Sequence, residues 1–190
     1  MVHLEQYVIS HFGVDDADNL NTIVSLFKLT TLKKNDFLLK SGESCNSLCF
    51  VQSGLLRMFA VIDGEEITQW ISTKAYFATD LSSFVFNTPS RLSIKALVDT
   101  EIFTISKKDY KLLGELVPKW HELEKSFIVR CFITLEERIF SHLSMTAEER
   151  YESFFKNNKE LFNQVPLHYI ASMLGMTPET FSRIRKKQLL

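Results

Sequence analysis

Apolar and polar positions along the chain change period twice. Residues 4–27 have a helical period: Leu20, Ile23, Val24 and Phe27 recur at three- and four-residue steps, behind Asp15, Asp16 and Asp18, acids that suit a helix start. From 29 to 106 short apolar runs alternate with turn residues, which predicts strands at 36–40, 48–52, 55–62, 65–71, 92–98 and 101–105. Ser41-Gly42-Glu43-Ser44 and Ser53-Gly54 break these runs, while Asp63-Gly64 and Asp99-Thr100 read as hairpin turns. Short strands at this regular spacing favour a barrel or sandwich over a parallel βαβ sheet.

Beyond residue 107 the strand signals stop. Residues 118–144 contain no internal Gly or Pro after Pro118, and Trp120, Leu123, Phe127, Cys131, Leu135, Ile139 and Leu143 step by three or four residues into one apolar stripe. Such a helix runs roughly 40 Å at about 1.5 Å per residue, well beyond the average of about 12 residues. Part of the stripe serves its own domain, and the rest predicts a homodimer joined helix to helix, with Trp120, Leu123, Phe127, Cys131 and Leu135 as the interface. A break at Ser144-Met145 is followed by Thr146 and Glu149, spaced as a capping box for a helix that Asn157-Asn158 closes.

Bulk composition narrows the class. With 190 residues, 45% of them hydrophobic and 24% charged, the chain has material for a packed core and does not read as disordered. Sixteen phenylalanines suggest a filled interior before they suggest an apolar ligand chamber. No run of about 18 apolar residues predicts a membrane span. The first residues lack a basic head and apolar block, so the expected location is the cytoplasm. Cys45, Cys49 and Cys131 are an odd set without a nearby fourth ligand, which fits free thiols rather than a metal or iron–sulfur site. Net charge is −1, yet Arg183, Arg185, Lys186 and Lys187 cluster without an acid among them. A local patch is what a polyanion meets, because screening confines each charge to roughly 8–10 Å.

Residues 165–190 hold the most specific pattern. Pro166 suits the first turn of a helix carrying Ile170, Ala171 and Leu174, and Gly175 supplies the left-handed backbone that ends it. Met176 plugs the corner, Thr177 caps a second helix, and Pro178 fits its first turn. Small Ala171 lets the helices approach, and Phe181 and Ile184 lock them together. This is the layout of a helix-turn-helix, whose second helix enters the major groove of double-stranded DNA. Thr177, Glu179, Thr180, Ser182, Arg183, Lys186 and Lys187 are the candidate DNA-binding residues. Arg183 suits a guanine edge, Glu179 a cytosine amine, and Lys186 and Lys187 phosphates. A helical hairpin with a solvated basic end is the plainer alternative.

The order of these parts resembles the Crp/Fnr family of transcription regulators. Gly42-Glu43, the run 48–51 into Gly54 with Arg57, and Asp63-Gly64 before Glu66-Ile67 are similar to the family's β-roll. The stretch from Tyr76-Phe77 through Phe84 to Ser90-Arg91 and Ala96 lies where the family places its phosphate-binding cassette. The resemblance implies an α+β fold: a double-stranded, jelly-roll-like sensor of the cyclic-nucleotide-binding type over 1–117, a dimerisation helix over 118–144, and a helical helix-turn-helix domain over 145–190 without the usual terminal wing. It implies RNA polymerase as a further partner, and an effector pocket at Thr79, Asp80, Ser82, Ser83, Ser90 and Arg91 for a cyclic nucleotide or another small molecule. Thr79-Asp80 stands in place of the family's Gly-Glu pair, and Ser90-Arg91 inverts its Arg-Ser pair. Both departures argue against cyclic AMP, and an Asp80–Arg91 structural ion pair on a repurposed roll is the alternative to a ligand role.

Catalysis has no support. His3, His11, His121, His142 and His168 are scattered, with no nucleophile and orienting group beside any of them and no phosphate loop. The other rival is an interaction module whose terminal helices bind a protein partner instead of DNA.

Overall fold

Asp16 does start a helix, but the second of two. The computed structural model describes residues 2–188, beginning with α1 (Val2–Phe12) and α2 (Ala17–Ser25). The Asp16 carboxylate caps α2 by accepting the Asn19 backbone N–H at 2.8 Å. Eight strands follow: β1 (Lys28–Leu32), β2 (Phe37–Leu39), β3 (Ser47–Ser53), β4 (Leu56–Ile62), β5 (Glu65–Ser72), β6 (Phe77–Ala78), β7 (Ser93–Ala96) and β8 (Thr100–Ser106), with α3 (Leu81–Phe86) between β6 and β7. They form two four-stranded antiparallel sheets, ordered β1-β8-β3-β6 and β2-β7-β4-β5. Together these make the expected β-roll.

The two predicted hairpins fare differently. Asp63 and Gly64 both take positive φ, and Ile62 pairs with Glu65 across them, so β4 and β5 form a tight two-residue hairpin. Asp99-Thr100 is not a hairpin. β7 pairs with β2 and β4, whereas β8 pairs with β1 and β3. The connection passes from one sheet to the other, and the buried Thr100 hydroxyl pins it, accepting from the Leu55 N–H at 3.1 Å and donating to the Val98 carbonyl at 2.8 Å.

The roll is filled by rings. Phe50 on β3 sits among Tyr7, His11, Phe12 and Phe27, with centroids 5.2–6.4 Å away. After α4 (Lys107–Leu116), the long helix α5 (Trp120–Ser144) lies against this core. Its Phe127 stacks on Phe12 at 4.6 Å and meets Phe77 edge-on at 5.1 Å. Trp120 and Phe127 are 3% and 1% exposed, so the chain's own core takes them out of any subunit interface. No helix among the described residues is long and apolar enough to cross a membrane.

The remaining helices, α6 (Ala147–Asn157), α7 (Leu161–Gln164), α8 (Leu167–Met173) and α9 (Pro178–Gln188), enclose a second core. The capping box closes as expected, with Thr146 and Glu149 satisfying each other's backbone N–H. Tyr151, Phe162, Ile170, Ala171, Phe181 and Ile184 are buried here together with Leu55 and Ile71 of the roll. That shared cluster fixes the terminal helices against the β4–β5 hairpin.

Candidate DNA interface and effector cleft

α8 and α9 cross at a turn built as the sequence predicts. Gly175 takes φ +67°, the Met176 N–H donates to the Ala171 carbonyl at 2.9 Å, and Ile170, Ala171, Leu174, Met176, Phe181 and Ile184 are all buried. A β-carbon at Gly175 would press on the His142 ring of α5 at 3.3 Å, so the glycine serves close approach as well as φ. The Thr177 hydroxyl accepts the Thr180 N–H at 3.2 Å and caps α9.

Burying Phe181 and Ile184 turns Glu179, Ser182, Arg183 and Lys186 outward, all exposed. Arg183 and Lys186 make no side-chain hydrogen bond or ion pair among the described residues. Glu179 is held below the usual carboxylate range by hydrogen bonds from its own backbone N–H and the Thr177 hydroxyl, so it faces solvent as an anion. Lys187 instead donates to Glu148 of α6 at 2.8 Å, and Thr180 is half-buried. The free outer face is therefore narrower than the sequence suggests.

The second site is a cleft of about 470 Å³ between α1, β4–β5, the segment leading into α3, and α5. Thr79, Asp80, Ser82 and Arg91 line it, as expected of an effector pocket. Ser83 and Ser90 do not; they stand behind it, buried. The Ser90 hydroxyl donates to Asp80 Oδ2 at 2.7 Å, the Ser83 N–H to Asp80 Oδ1 at 3.1 Å, and the Cys45 N–H to the Ser83 hydroxyl at 2.8 Å. Asp80 is thus the cap of α3 and not the partner of Arg91, which excludes the structural ion pair. Arg91 is exposed and free to meet a ligand.

Sequence reasoning missed the other wall. Arg130 and Arg138 of α5 face this cleft beside His11, Trp70 and Tyr76. Arg130 donates to the Ser10 carbonyl at 3.1 Å. Arg138 donates to the Gln69 carbonyl of β5 and, at 2.8 Å, to the Met173 carbonyl of α8, with Trp70 5.3 Å from its guanidinium carbon. The available signal was polar residues at Arg130, Thr134 and Arg138, recurring at helical spacing on the face that Phe127 buries. Three guanidiniums against one already satisfied carboxylate favour an anionic occupant. Among the described residues no three His, Cys, Asp or Glu side chains gather as a metal site.

Roll and terminal helices meet through a buried arginine. Arg57 of β4 is 2% exposed; its Nε donates to the Thr68 hydroxyl at 2.9 Å and Nη1 pairs with Glu66. Its guanidinium lies between the rings of Phe59 and Tyr169, 4.3 and 3.6 Å from their centroids. Nη2 is buried without a hydrogen-bond partner. Beside it the Thr68 N–H donates to the Ser172 hydroxyl at 2.9 Å, so an edge position of β5 bonds to α8.

Known proteins share this arrangement. Residues 29–114 match the cyclic nucleotide-binding domain family. The chain is 26% identical to the transcriptional activator protein Anr of Pseudomonas aeruginosa, covering 90% of this chain and 73% of that one. It is 27% identical to the transcriptional activator protein FnrA of Stutzerimonas stutzeri, covering 90% and 74%. FixK2 from Bradyrhizobium japonicum superposes with TM-score 0.71 at 16% identity, over 85% of this chain and 83% of that one. The catabolite activator protein of Thermus thermophilus gives 0.57 at 21% identity, over 93% and 84%. A cyclic-nucleotide-binding-like roll joined by a long helix to a helix-turn-helix defines a DNA-binding transcription regulator, a non-enzymatic class. In the order of its parts and in sequence the chain is similar to transcription regulators of the Crp/Fnr type.

Proposed function

We propose that two copies of the chain associate along the outer face of α5 and set two α9 helices into successive major grooves, under control of an anionic small molecule in the effector cleft. The observation that carries the DNA reading is the outer face of α9, where Glu179, Ser182, Arg183 and Lys186 stand exposed on a helix whose opposite face is buried. Arg183 reads a guanine edge and Glu179 a cytosine amine, Ser182 and Lys186 hold phosphates, and Thr177 and Thr180 fix the helix start. Lys187 reaches DNA only by releasing Glu148.

The proposed dimer face is Ile128, Phe132, Leu135, Ile139 and Leu143, which are 46–81% exposed and follow one another at four- and three-residue steps. Leu123 and Cys131 contribute only from its inner edge, being partly buried against the roll. The effector, a cyclic nucleotide or another anion, binds Arg91 and Arg130 with Thr79, Asp80 and Ser82 around it. It acts by favouring one packing of the long helices, since a ligand shifts only an equilibrium between states it binds differently. In DNA-bound form the α9 helices lie about 34–36 Å apart, one duplex turn. This reading places the chain in the cytoplasm, where the bound dimer meets RNA polymerase.

Capture of random genomic fragments at moderate salt tests it. A two-fold symmetric motif is expected. Lys186→Ala should weaken binding to all sequences, while Arg183→Ala should lose about 1–3 kcal/mol of discrimination at one position. No motif at any effector concentration would overturn the reading in favour of a module that binds a protein partner.

A further inference from the structure

We infer that the effector cleft takes a carboxylate carried on an apolar body, a medium-chain or aromatic acid, in place of a nucleotide; this rests on the reading of the cleft as the effector site. Its volume of about 470 Å³ lies within the range of about 300–1,000 Å³ typical of small-molecule sites.

Hydrocarbon walls it on several sides. Met58 of β4, Phe77 of β6, Leu81 of α3, Leu92 before β7, and Phe127 and Leu135 of α5 all line it. Such walls gain by covering an apolar ligand and give a sugar hydroxyl or a base edge nothing to bond. The polar side chains between them are largely spent on the protein itself. Ser10 donates to the Tyr7 carbonyl at 3.1 Å, Thr79 to the Ser47 carbonyl at 3.0 Å, and Thr134 to the Arg130 carbonyl at 3.1 Å. Asp80, the one acid in the lining among the described residues, accepts at both oxygens, from the Ser83 N–H and the Ser90 hydroxyl. A nucleotide entering here leaves its ribose hydroxyls and base edges short of partners, a desolvation cost that an apolar body does not meet.

The polarity left free is cationic. Arg138 is committed to the Gln69 and Met173 carbonyls, but Arg91 makes no side-chain hydrogen bond among the described residues, and Arg130 uses only Nη1, on the Ser10 carbonyl at 3.1 Å. Neither Arg91 nor Arg130 has a carboxylate within 4.0 Å among the described residues. A guanidinium carries five N–H donors, so both keep donors for a ligand. Two guanidiniums without a counterion, set into apolar walls, match one compact anion on a hydrocarbon body. A carboxylate presents two oxygens to the guanidinium fork. Asp80, on the same wall, repels the second charge that a phosphomonoester would bring.

Calorimetric titration of the full chain with decanoate, naphthoate, their corresponding alcohols, acetate and cyclic AMP tests this. At least one of the two acids should bind saturably; decanoate as the tighter assigns an aliphatic body, naphthoate an aromatic one. Acetate, a head without a body, and the alcohol, a body without a charge, should each bind about tenfold more weakly or worse, and cyclic AMP should not bind more tightly than the acid. Arg91→Gln and Arg130→Gln should each weaken the acid about tenfold. Ser82→Phe, at an exposed lining position of α3, should block it by filling the cleft. An alcohol that binds as well as its acid overturns the assignment, as does full affinity in both arginine variants, which places the acid on another apolar face. Cyclic AMP binding more tightly than either acid, and lost in Arg91→Gln, overturns this ligand class while keeping the cleft as the effector site. Binding by no probe up to millimolar concentration overturns both. If Arg130→Gln fails to fold, Arg91→Gln decides.

Discussion

His11 shows how a single side chain registers its surroundings. Its ring meets Phe50 edge-on at 5.2 Å, Nδ1 lies 2.9 Å from the Tyr7 carbonyl, and it lines the effector cleft with Arg130. Burial lowers its pKa below 6.5 and the Arg130 charge adds to this, partly opposed by the Tyr7 carbonyl. The unfolded chain therefore takes up a proton before the folded one does. Stability is intact above 6.5 and falls as pH drops through the folded value, which lies lower. His11→Gln should flatten the loss of Tm between about pH 7 and about pH 5, measured by thermal denaturation; an unchanged slope would assign it to other groups. The thiols behave oppositely to redox sensors. Burial pushes Cys49 up to about 12 and Cys131 up to about 11, so at neutral pH both stay protonated and weakly nucleophilic.

At the scale of elements, α5 has two faces that stabilise different things. Phe127→Ala should cost about 3–5 kcal/mol of folding stability through the cavity it leaves. Phe132→Glu with Ile139→Glu should leave the monomer folded and abolish the dimer. Sedimentation and urea denaturation separate the two outcomes, and a dimer surviving the double glutamate would place the interface elsewhere. The helix itself was legible from its length and freedom from breakers, but the stripe assigned to it drifts. Four residues turn an α-helix about 400°, so each four-residue step rotates the line by about 40°. From Phe127 to Leu143 four such steps carry it roughly 160° round, from the core side to solvent, which is why one stripe in the sequence is two surfaces in the fold. The helix-turn-helix was legible because Ala171, Gly175, Thr177 and Pro178 act on their immediate neighbours. The roll side of the effector cleft was legible too, in Thr79, Asp80, Ser82 and Arg91, but its α5 wall was not, since Arg138 gains its meaning from Gln69 and Met173, which only tertiary folding brings to it. Asp99-Thr100 misled for the same reason: its turn residues fit a hairpin, but the strands on either side belong to different sheets.

The whole molecule is held in one arrangement by the contact of β4–β5 with α8. Arg57 inserts between Phe59 and Tyr169 while pairing with Glu66, which is half exposed and so screened from contributing the full value of a buried pair. A double-mutant cycle of Arg57→Ala and Tyr169→Ala, followed by urea unfolding, should return a coupling of about 0.5–2 kcal/mol. Simple additivity would mean that the terminal helices leave the roll in solution. The hairpin making this contact has two working sides. Arg57 and Ile71 look to the terminal helices, while their neighbours Met58 and Trp70 look to the effector cleft. Strand geometry thus interleaves, residue by residue, the positions that choose a signal with those that transmit it. A lineage can exchange one set while keeping the other, so new effectors are open to this scaffold without rebuilding the link to its DNA-reading helices.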